Sequence, residues 1–170
     1  MHKRKIEPIV NGRVTLRLLR ESDLPMTRAW RNQDHIRRWF FSTDVISEEQ
    51  HRTWFERYKQ QDDDFVFVIE ETETLRRPVG QAALYRVDWT SRRAEFGRLL
   101  IGDAAADGMG LGRLATEALT KFAFDTWSMH EVYLDVLEAN ARAIKIYEQC
   151  GFVASRPANG SVHMTCSATH

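Results

Sequence analysis

The sequence has few cysteines and no long apolar run, and both features restrict the cellular compartment that we expect for the protein. Its 170 residues contain two cysteines, Cys150 and Cys166, which are too few for a disulfide framework. No run approaches the roughly 20 apolar residues that a membrane-spanning helix needs. Residues 1–5 are basic but lack the apolar core of a signal peptide. The sequence therefore predicts a cytoplasmic protein with reduced thiols and no membrane partner.

The sequence also lacks net charge, because 24 lysines and arginines balance 24 aspartates and glutamates. No overall positive field would recruit nucleic acid, so we expect no nucleic-acid partner. The length and the 43% hydrophobic content suit a single domain that spans residues 1–170.

Three alternating glycines, Gly108, Gly110 and Gly112, separate a predicted buried strand from a predicted amphipathic helix. Glycine lets backbone N–H groups approach a ligand closely, and the first turn of a helix carries unpaired N–H donors. This arrangement predicts a phosphate-binding turn, although glycines alone also suit a tight connection that binds nothing. The spacing excludes a dinucleotide fingerprint, and the absence of a following Gly-Lys-Ser/Thr excludes a nucleotide-triphosphate loop. The turn therefore predicts a diphosphate site without a metal ion.

The order of the predicted elements indicates an α+β fold with a mixed, mostly antiparallel sheet. A meander of strands precedes the glycine turn, a helical crossover then adds a parallel strand, and a hairpin at Asn159-Gly160 follows. A capping box at residues 47–50 begins an earlier helix. We expect about seven strands, flanked by about four helices.

A later helix carries two polar groups on one face. Asn140 and Tyr147 are seven residues apart, so they lie on the same side of a helix. This helix and the glycine turn both follow the carboxyl ends of neighbouring strands, where ligands bind in α/β sheets. Taken singly, Asn140 also suits a helix N-cap and Tyr147 a core aromatic.

Together, residues 108–112 and 137–152 resemble the acetyl-CoA-binding segments of the GNAT superfamily of N-acetyltransferases, and the likeness extends from about Val14 to the C-terminus. The resemblance implies acetyl-CoA as co-substrate and transfer of its acetyl group to a primary amine by direct attack. It implies that the CoA diphosphate is held by the residues of the glycine turn: Gly108, Met109, Gly110, Leu111, Gly112 and Arg113. One departure is Asp107, where the family usually has Gln or Arg, because an acid beside a diphosphate is unfavourable.

The resemblance also implies roles next to the thioester. The backbone of Leu99, Leu100 and Ile101 would pair with the pantetheine arm as an added strand would. Asn140 would hydrogen-bond the same arm. Tyr147 would be the general acid for the departing thiolate, which suits a phenol.

Acetyl transfer to an amine also requires a base. Glu95 begins the strand that would line the thioester and matches a frequent base position in the superfamily. Its alternative is a surface carboxylate paired with Arg92 or Arg93. His51 is the second candidate base, and its alternative is a place at the edge of the apolar face of its helix.

The acceptor site is predicted in residues 28–41, which are basic and aromatic, with four arginines against one acid. With residues 46–55 and Glu95-Phe96-Gly97, this segment resembles bacterial acetyltransferases that act on amino sugars of sugar nucleotides, as in the pseudaminic acid pathway. Arginines suit a diphosphate and aromatic rings suit a base or a sugar, but a solvated helix face and a core would use the same residues. The implied substrate-binding residues are Arg31, Asn32, Trp39, Phe40 and His51.

Alternative functions remain open at this point. A polyamine would be acetylated by a similar site, although a polycation should meet acids where this sequence offers arginines. A protein N-terminus is another acceptor, and an inactive CoA-binding module is the alternative outside catalysis. Dimers are common among similar proteins, so a homodimer is a further expectation.

Overall fold

The computed structural model describes residues 2–169, which form an eight-stranded sheet with helices on both faces. The strands are β1 (Ile9–Asn11), β2 (Val14–Leu18), β3 (Asp64–Glu71), β4 (Arg77–Asp88), β5 (Arg93–Ile101), β6 (Glu131–Leu137), β7 (Val153–Ala154) and β8 (Ser161–Ser167). Their order across the sheet is β1-β2-β3-β4-β5-β6-β8-β7. Neighbouring strands are antiparallel except β5 and β6, which are parallel. The predicted α+β fold with a mixed, mostly antiparallel sheet is confirmed.

The helices are α1 (Leu24–Arg31), α2 (Asp34–Arg37), α3 (Glu48–Tyr58), α4 (Leu111–Asp125) and α5 (Ala141–Gln149). Successive residues of β3 alternate between two cores, because side chains of a strand point to opposite faces. Phe65, Phe67 and Ile69 pack with the apolar face of α4, while Val66 and Val68 pack with α1 and α3. None of the helices within residues 2–169 is long and apolar enough to cross a membrane.

The start of α3 confirms the predicted capping box. The Ser47 hydroxyl accepts a hydrogen bond from the Gln50 N–H at 3.1 Å, and the Gln50 side chain accepts one from the Ser47 N–H at 2.9 Å. The sequence pattern did not reveal β1 and α2, which have three and four residues. Elements this short span too few residues to show a hydrophobic period.

Two bulges distort the pairing of β4 with β5. One extra residue lies in β4 near Arg86 and one in β5 near Arg98, and both arginines have positive φ, at +46° and +54°. A bulge changes the direction of a side chain, and bulges are common next to functional sites.

The parallel strands β5 and β6 pair only at their beginnings. The paired residues are Arg93, Ala94 and Glu95 of β5 with Glu131, Val132 and Tyr133 of β6. Beyond them the strands diverge, so the second half of β5 has a free backbone edge toward β6.

Candidate functional site

A cavity of about 590 Å³ lies between the glycine turn, the end of β5 and the beginnings of α4 and α5. We call it the turn cavity. Met109 does not line it, because its N–H donates to the Ala106 carbonyl at 3.3 Å and its carbonyl accepts from Arg13. The other residues predicted to bind the coenzyme all line it: Leu99, Leu100, Ile101, Gly108, Gly110, Leu111, Gly112, Arg113 and Asn140.

The backbone of the glycine turn is shaped for close approach by a ligand. Gly108 and Gly110 have φ of +78° and +74°, and a Cβ on either would meet no atom within 4 Å. Gly110 is the residue before α4, so the first N–H groups of that helix lie at the cavity. These donors lack partners within the helix and lie at the positive end of its dipole, which favours a phosphate group.

Cationic side chains line the same cavity and outnumber its acid. Arg38 lies on one wall, and Arg142 and Lys145 lie on α5. None of these three forms an ion pair with a carboxylate of residues 2–169. They offset Asp107, the acid that departs from the family pattern. Arg142 and Lys145 were not predicted as binding residues, although their spacing from Asn140 places them near the same end of the helix.

Asn140 and Tyr147 have structural roles that leave their functional groups free. The Asn140 Oδ1 caps α5 by accepting from the Ala143 N–H at 3.3 Å, and its amide nitrogen has no partner within residues 2–169. Tyr147 is buried, with its ring edge-on to Phe96 at 5.9 Å and Phe152 at 6.0 Å between centroids. Burial raises the pKa of the Tyr147 hydroxyl above its ordinary value, so the phenol keeps its proton at neutral pH.

Glu95 is buried, which makes the alternative of a surface carboxylate wrong. Its side chain accepts hydrogen bonds from the Tyr85 hydroxyl and from Arg86 Nη1, both at 2.7 Å. Arg93 pairs instead with Glu131, at 2.9 Å. Burial raises the pKa of Tyr85, and its hydrogen bond to Glu95 raises it further, so Tyr85 remains the donor. The bulge at Arg86 is what brings that guanidinium to Glu95.

Glu95 and Tyr147 lie on opposite sides of β5. Glu95 pairs across the sheet with Tyr85, which packs with the core beneath α1 and α3. Tyr147 packs on Phe96, which belongs to the core beneath α4. Glu95 is the last residue of β5 that pairs with β6, so the free edge of β5 begins just after it.

A second cavity, of about 310 Å³, lies between α1, α3 and the sheet. We call it the arginine cavity, because Arg28, Arg31 and Arg98 line it and no lining residue is acidic. Arg98 pairs with Asp64 at 2.7 Å, whereas Arg28 and Arg31 form no ion pair within residues 2–169. Arg98 reaches this cavity from the bulge of β5. No pattern in the sequence predicted a bulge at this position.

Two buried nitrogen atoms of the arginine cavity have no partner in residues 2–169. They are Arg31 Nη1 and His51 Nδ1. The other end of the Arg31 guanidinium is held, because Nη2 donates to the Ser42 carbonyl at 2.7 Å. Burial and the nearby charge of Arg28 lower the pKa of His51, so its imidazole is neutral at pH 7. Buried polar groups seldom lack partners, so these atoms indicate a ligand site.

The predicted substrate-binding residues divide between different places. Arg31, Phe40 and His51 line the arginine cavity, and Phe40 also lines the turn cavity. Trp39 lines the turn cavity only. Asn32 lines neither, because its amide holds the backbone of Ile46 through two hydrogen bonds of 2.8 Å. Arg28, one helical turn before Arg31, belongs to the predicted basic segment 28–41 and also lines the arginine cavity, although it was not named individually as a substrate-binding residue.

The turn cavity fits CoA in charge and in backbone chemistry. Its helix N–H groups and unpaired cations suit phosphates, the free edge of β5 suits the amides of a pantetheine arm, and the Asn140 amide adds a donor. Within residues 2–169, no group of three or more His, Cys, Asp or Glu side chains is placed to hold a metal ion.

Comparison with known proteins gives the family. Residues 13–153 match the family described as Acetyltransferase (GNAT) domain. The chain is 25% identical to the spermidine N(1)-acetyltransferase of Vibrio cholerae, over 85% of this chain and 81% of that protein. The fold is similar to the crystal structure of spermidine N-acetyltransferase from Vibrio cholerae in complex with CoA and spermine. The TM-score is 0.82 at 24% identity, over 92% of this chain and 96% of the other.

Other relatives carry different names. The chain is 28% identical to the aminoglycoside N(6')-acetyltransferase type 1 of Klebsiella pneumoniae, over 84% of this chain and 75% of that protein. It is 24% identical to the acetyltransferase PseH of Campylobacter jejuni, over 79% of each chain. Among these three relatives, the spermidine enzyme is matched over the largest share of both proteins, which favours the polyamine alternative over the predicted sugar nucleotide. The relatives agree on the reaction, and with the matched domain they show that this chain belongs to the GNAT family, as an acetyl-CoA-dependent N-acetyltransferase.

Proposed function

We propose that this enzyme acetylates a primary amine on a small molecule that also carries an anionic group, such as a sugar nucleotide. The observation that carries the proposal is the lining of the arginine cavity. Arg28 and Arg31 have no carboxylate partner there, and Arg31 Nη1 is buried without an acceptor. A phosphate or carboxylate on the acceptor would supply the missing partner, with two parallel hydrogen bonds to a guanidinium.

The proposal assigns the two cavities to the two substrates. Acetyl-CoA, bound in the turn cavity, supplies a thioester whose carbonyl carbon the amine attacks. The glycine turn and the α4 N-terminus hold the diphosphate, and the edge of β5 and Asn140 hold the pantetheine arm. The amine approaches from the arginine cavity, where Arg28 and Arg31 hold the anionic part of the acceptor.

Glu95 and Tyr147 carry the proton transfers in this proposal. Glu95 lies on the side of β5 that faces the arginine cavity and takes a proton from the amine. Both carboxylate oxygens of Glu95 already accept a hydrogen bond, from Tyr85 and from Arg86. The proton is therefore relayed through the Tyr85 hydroxyl, or it is taken by one oxygen that gives up its present hydrogen bond. Tyr147 lies on the opposite side and donates its proton to the departing sulfur.

His51 is the competing base, because its neutral ring has a free Nδ1 in the arginine cavity. Glu95→Gln and His51→Gln separate the two candidates. If Glu95 is the base, Glu95→Gln lowers kcat/KM by about 100-fold or more, while His51→Gln leaves it near the wild-type value. The same loss in His51→Gln, with a near wild-type kcat/KM in Glu95→Gln, would give the role to His51.

A polyamine is the second candidate acceptor, and the names of the spermidine relatives support it. The charges of the arginine cavity oppose it, because ammonium groups a few ångströms from unpaired guanidinium groups are repelled. A polyamine would therefore need acids that do not line this cavity. The two candidates predict opposite effects of removing the arginines.

The deciding experiment compares acceptors in the wild type and in the double variant Arg28→Gln/Arg31→Gln. CoA release is followed with a 4-amino-4,6-dideoxy sugar nucleotide, with an aminoglycoside and with spermidine. We expect the sugar nucleotide to have the highest kcat/KM and to lose at least about 100-fold of it in the double variant, since each lost charged hydrogen bond costs about 1.5–3 kcal/mol. Arg57→Gln is the control, because Arg57 is exposed on α3 and lines neither cavity.

Two results would contradict the anionic acceptor. One is efficient turnover of spermidine that is unchanged or improved in the double variant, which would establish the polyamine function. The other is turnover of the sugar nucleotide that the double variant leaves unaltered.

A further inference from the structure

The turn cavity and the arginine cavity meet at one aromatic ring. Among the described residues, Phe40 is the residue whose side chain lines both cavities. Beneath it, the consecutive residues Arg98 and Leu99 of β5 face the arginine cavity and the turn cavity, respectively. The wall between the two cavities therefore consists of the Phe40 ring above the bulge of β5.

Phe40 is held from two sides but belongs to no helix or strand. Its ring packs against the small core of Trp30, Ile36 and Leu100. On the other side, the Arg31 guanidinium stacks on the ring, with Cζ 3.8 Å from the ring centroid. The same guanidinium is tied to the Ser42 carbonyl just beyond Phe40 in the chain. The ring is thus held by side-chain contacts rather than by a helix or a strand.

An acceptor amine in the arginine cavity must pass this ring to reach a thioester in the turn cavity. We infer that Phe40 is a partition that keeps water in the arginine cavity away from the thioester until an acceptor binds. An apolar ring excludes water, and exclusion of water prevents hydrolysis of a reactive group. The acceptor displaces the ring because its anionic group engages Arg31, whose guanidinium supports the ring. This inference rests on the proposed placement of the two substrates.

The side reaction that the partition prevents is hydrolysis of acetyl-CoA. A water oxygen attacks the carbonyl carbon, the carbon–sulfur bond breaks, and the products are acetate, the CoA thiol and a proton. Because hydrolysis needs no amine, it can be measured without knowing the acceptor. It therefore tests the partition separately from the proposed acceptor class.

The experiment measures thiol release from acetyl-CoA, without acceptor, in the wild type and in Phe40→Ala, Phe40→Leu and Phe41→Ala. Phe41 is the matched control, because it is the next residue, equally aromatic, 63% exposed and in neither cavity lining. We expect Phe40→Ala to raise the hydrolysis rate by at least about tenfold. Phe40→Leu should give a smaller rise, and Phe41→Ala should match the wild type.

Binding of acetyl-CoA and thermal melting are measured for each variant. Hydrolysis in Phe40→Ala at the wild-type rate, with acetyl-CoA binding and melting retained, would overturn the partition. If Phe40→Ala does not fold, the hydrolysis rate of Phe40→Leu is compared with that of the wild type instead, because leucine keeps most of the apolar volume. A rise in hydrolysis would support the partition even if the sugar nucleotide fails as acceptor, so the two proposals fail by different observations.

Discussion

Tyr147 combines a packing role with the chemical role that we propose for its hydroxyl. Its ring is a buried member of the core, and its hydroxyl has no hydrogen-bond partner within residues 2–169. Burial raises the pKa of this hydroxyl, so the phenol is protonated at neutral pH. The two interpretations that the sequence left open, core aromatic and general acid, are therefore compatible.

Replacing Tyr147 by Phe separates these roles, because the ring remains and the proton is lost. We expect kcat to fall by about 100-fold or more, which is typical of losing a general acid, while the Kd for acetyl-CoA and the melting temperature change little. Steady-state kinetics and calorimetry measure both quantities. Tyr133→Phe is the control, since Tyr133 is half-buried on β6 and lines neither cavity. An unchanged kcat would remove Tyr147 from the mechanism.

His51 links the arginine cavity to the pH dependence of stability. Its pKa is lowered in the folded state by burial and by Arg28, so the unfolded state binds more protons below the ordinary value of about 6.5. The stabilising contribution of neutral His51 is therefore complete above that pH and is lost as the pH falls through and below it. We expect the melting temperature of the wild type to drop more between pH 7.5 and pH 5.5 than that of His51→Gln. Parallel curves for the two proteins would contradict this.

At the scale of elements, the bulges of β4 and β5 decide which charges reach the site. The bulge at Arg86 brings a guanidinium to Glu95, and the bulge at Arg98 brings another to Asp64 and the arginine cavity. Gly97 lies between the two bulges, and the Tyr85 ring packs directly against it. A Cβ on Gly97 would lie 2.8 Å from the Tyr85 hydroxyl oxygen. The strand that would bind the coenzyme thus also organises the acceptor side.

The glycine turn offers a test of whether its positive φ serves binding or only the connection. Gly110→Ala and Gly160→Ala place an alanine at φ of +74° and +79°, with no atom within 4 Å in either case. We expect both to lose about 1–2 kcal/mol of unfolding free energy, because an L-residue is strained in this region. Only Gly110→Ala should weaken acetyl-CoA binding, as measured by calorimetry. Equal affinity in both variants would mean that the turn does not hold the coenzyme.

At the scale of the whole molecule, the binding of acetyl-CoA should stabilise the native state against heat. At a concentration of about 100 times Kd the gain is about 2.7 kcal/mol. For a chain of this size that corresponds to a rise in melting temperature of about 5–10 °C. Inorganic pyrophosphate is the control, because it lacks the pantetheine arm and should give a smaller rise. Equal shifts for both ligands would mean that the edge of β5 contributes nothing.

The sequence predicted most of the fold and most of the residues that line the turn cavity, because both depend on local signals. The capping box of α3, the apolar face of α4 and the Asn159-Gly160 hairpin are short-range patterns, and the structure contains each of them. The glycine turn and the end of β5 are close in the chain, so their meeting in the turn cavity was predictable. Met109 shows the limit of this reasoning, since this residue of the glycine turn does not line the cavity.

The acceptor side could not be predicted in the same way, because it depends on contacts between distant segments. Asn32 and His51 have equal claims as substrate-binding residues in the sequence, yet Asn32 holds a loop and His51 lines the arginine cavity. Arg98 and Tyr85 entered the site only through the bulges and the register of the sheet, whereas Arg28 already belonged to the predicted segment 28–41. The partner of Glu95 likewise came from β4 rather than from its neighbours in the chain.

By itself, then, the sequence determined the elements, their order and the position of the glycine turn, since backbone preferences and apolar periodicity act over a few residues. Only the tertiary structure decided which charges remain unpaired in the arginine cavity, which ring lines both cavities and which sides of β5 Glu95 and Tyr147 occupy. The physical reason is that strand register, bulges and helix packing are set by the burial of the whole core, and charge pairing follows from them.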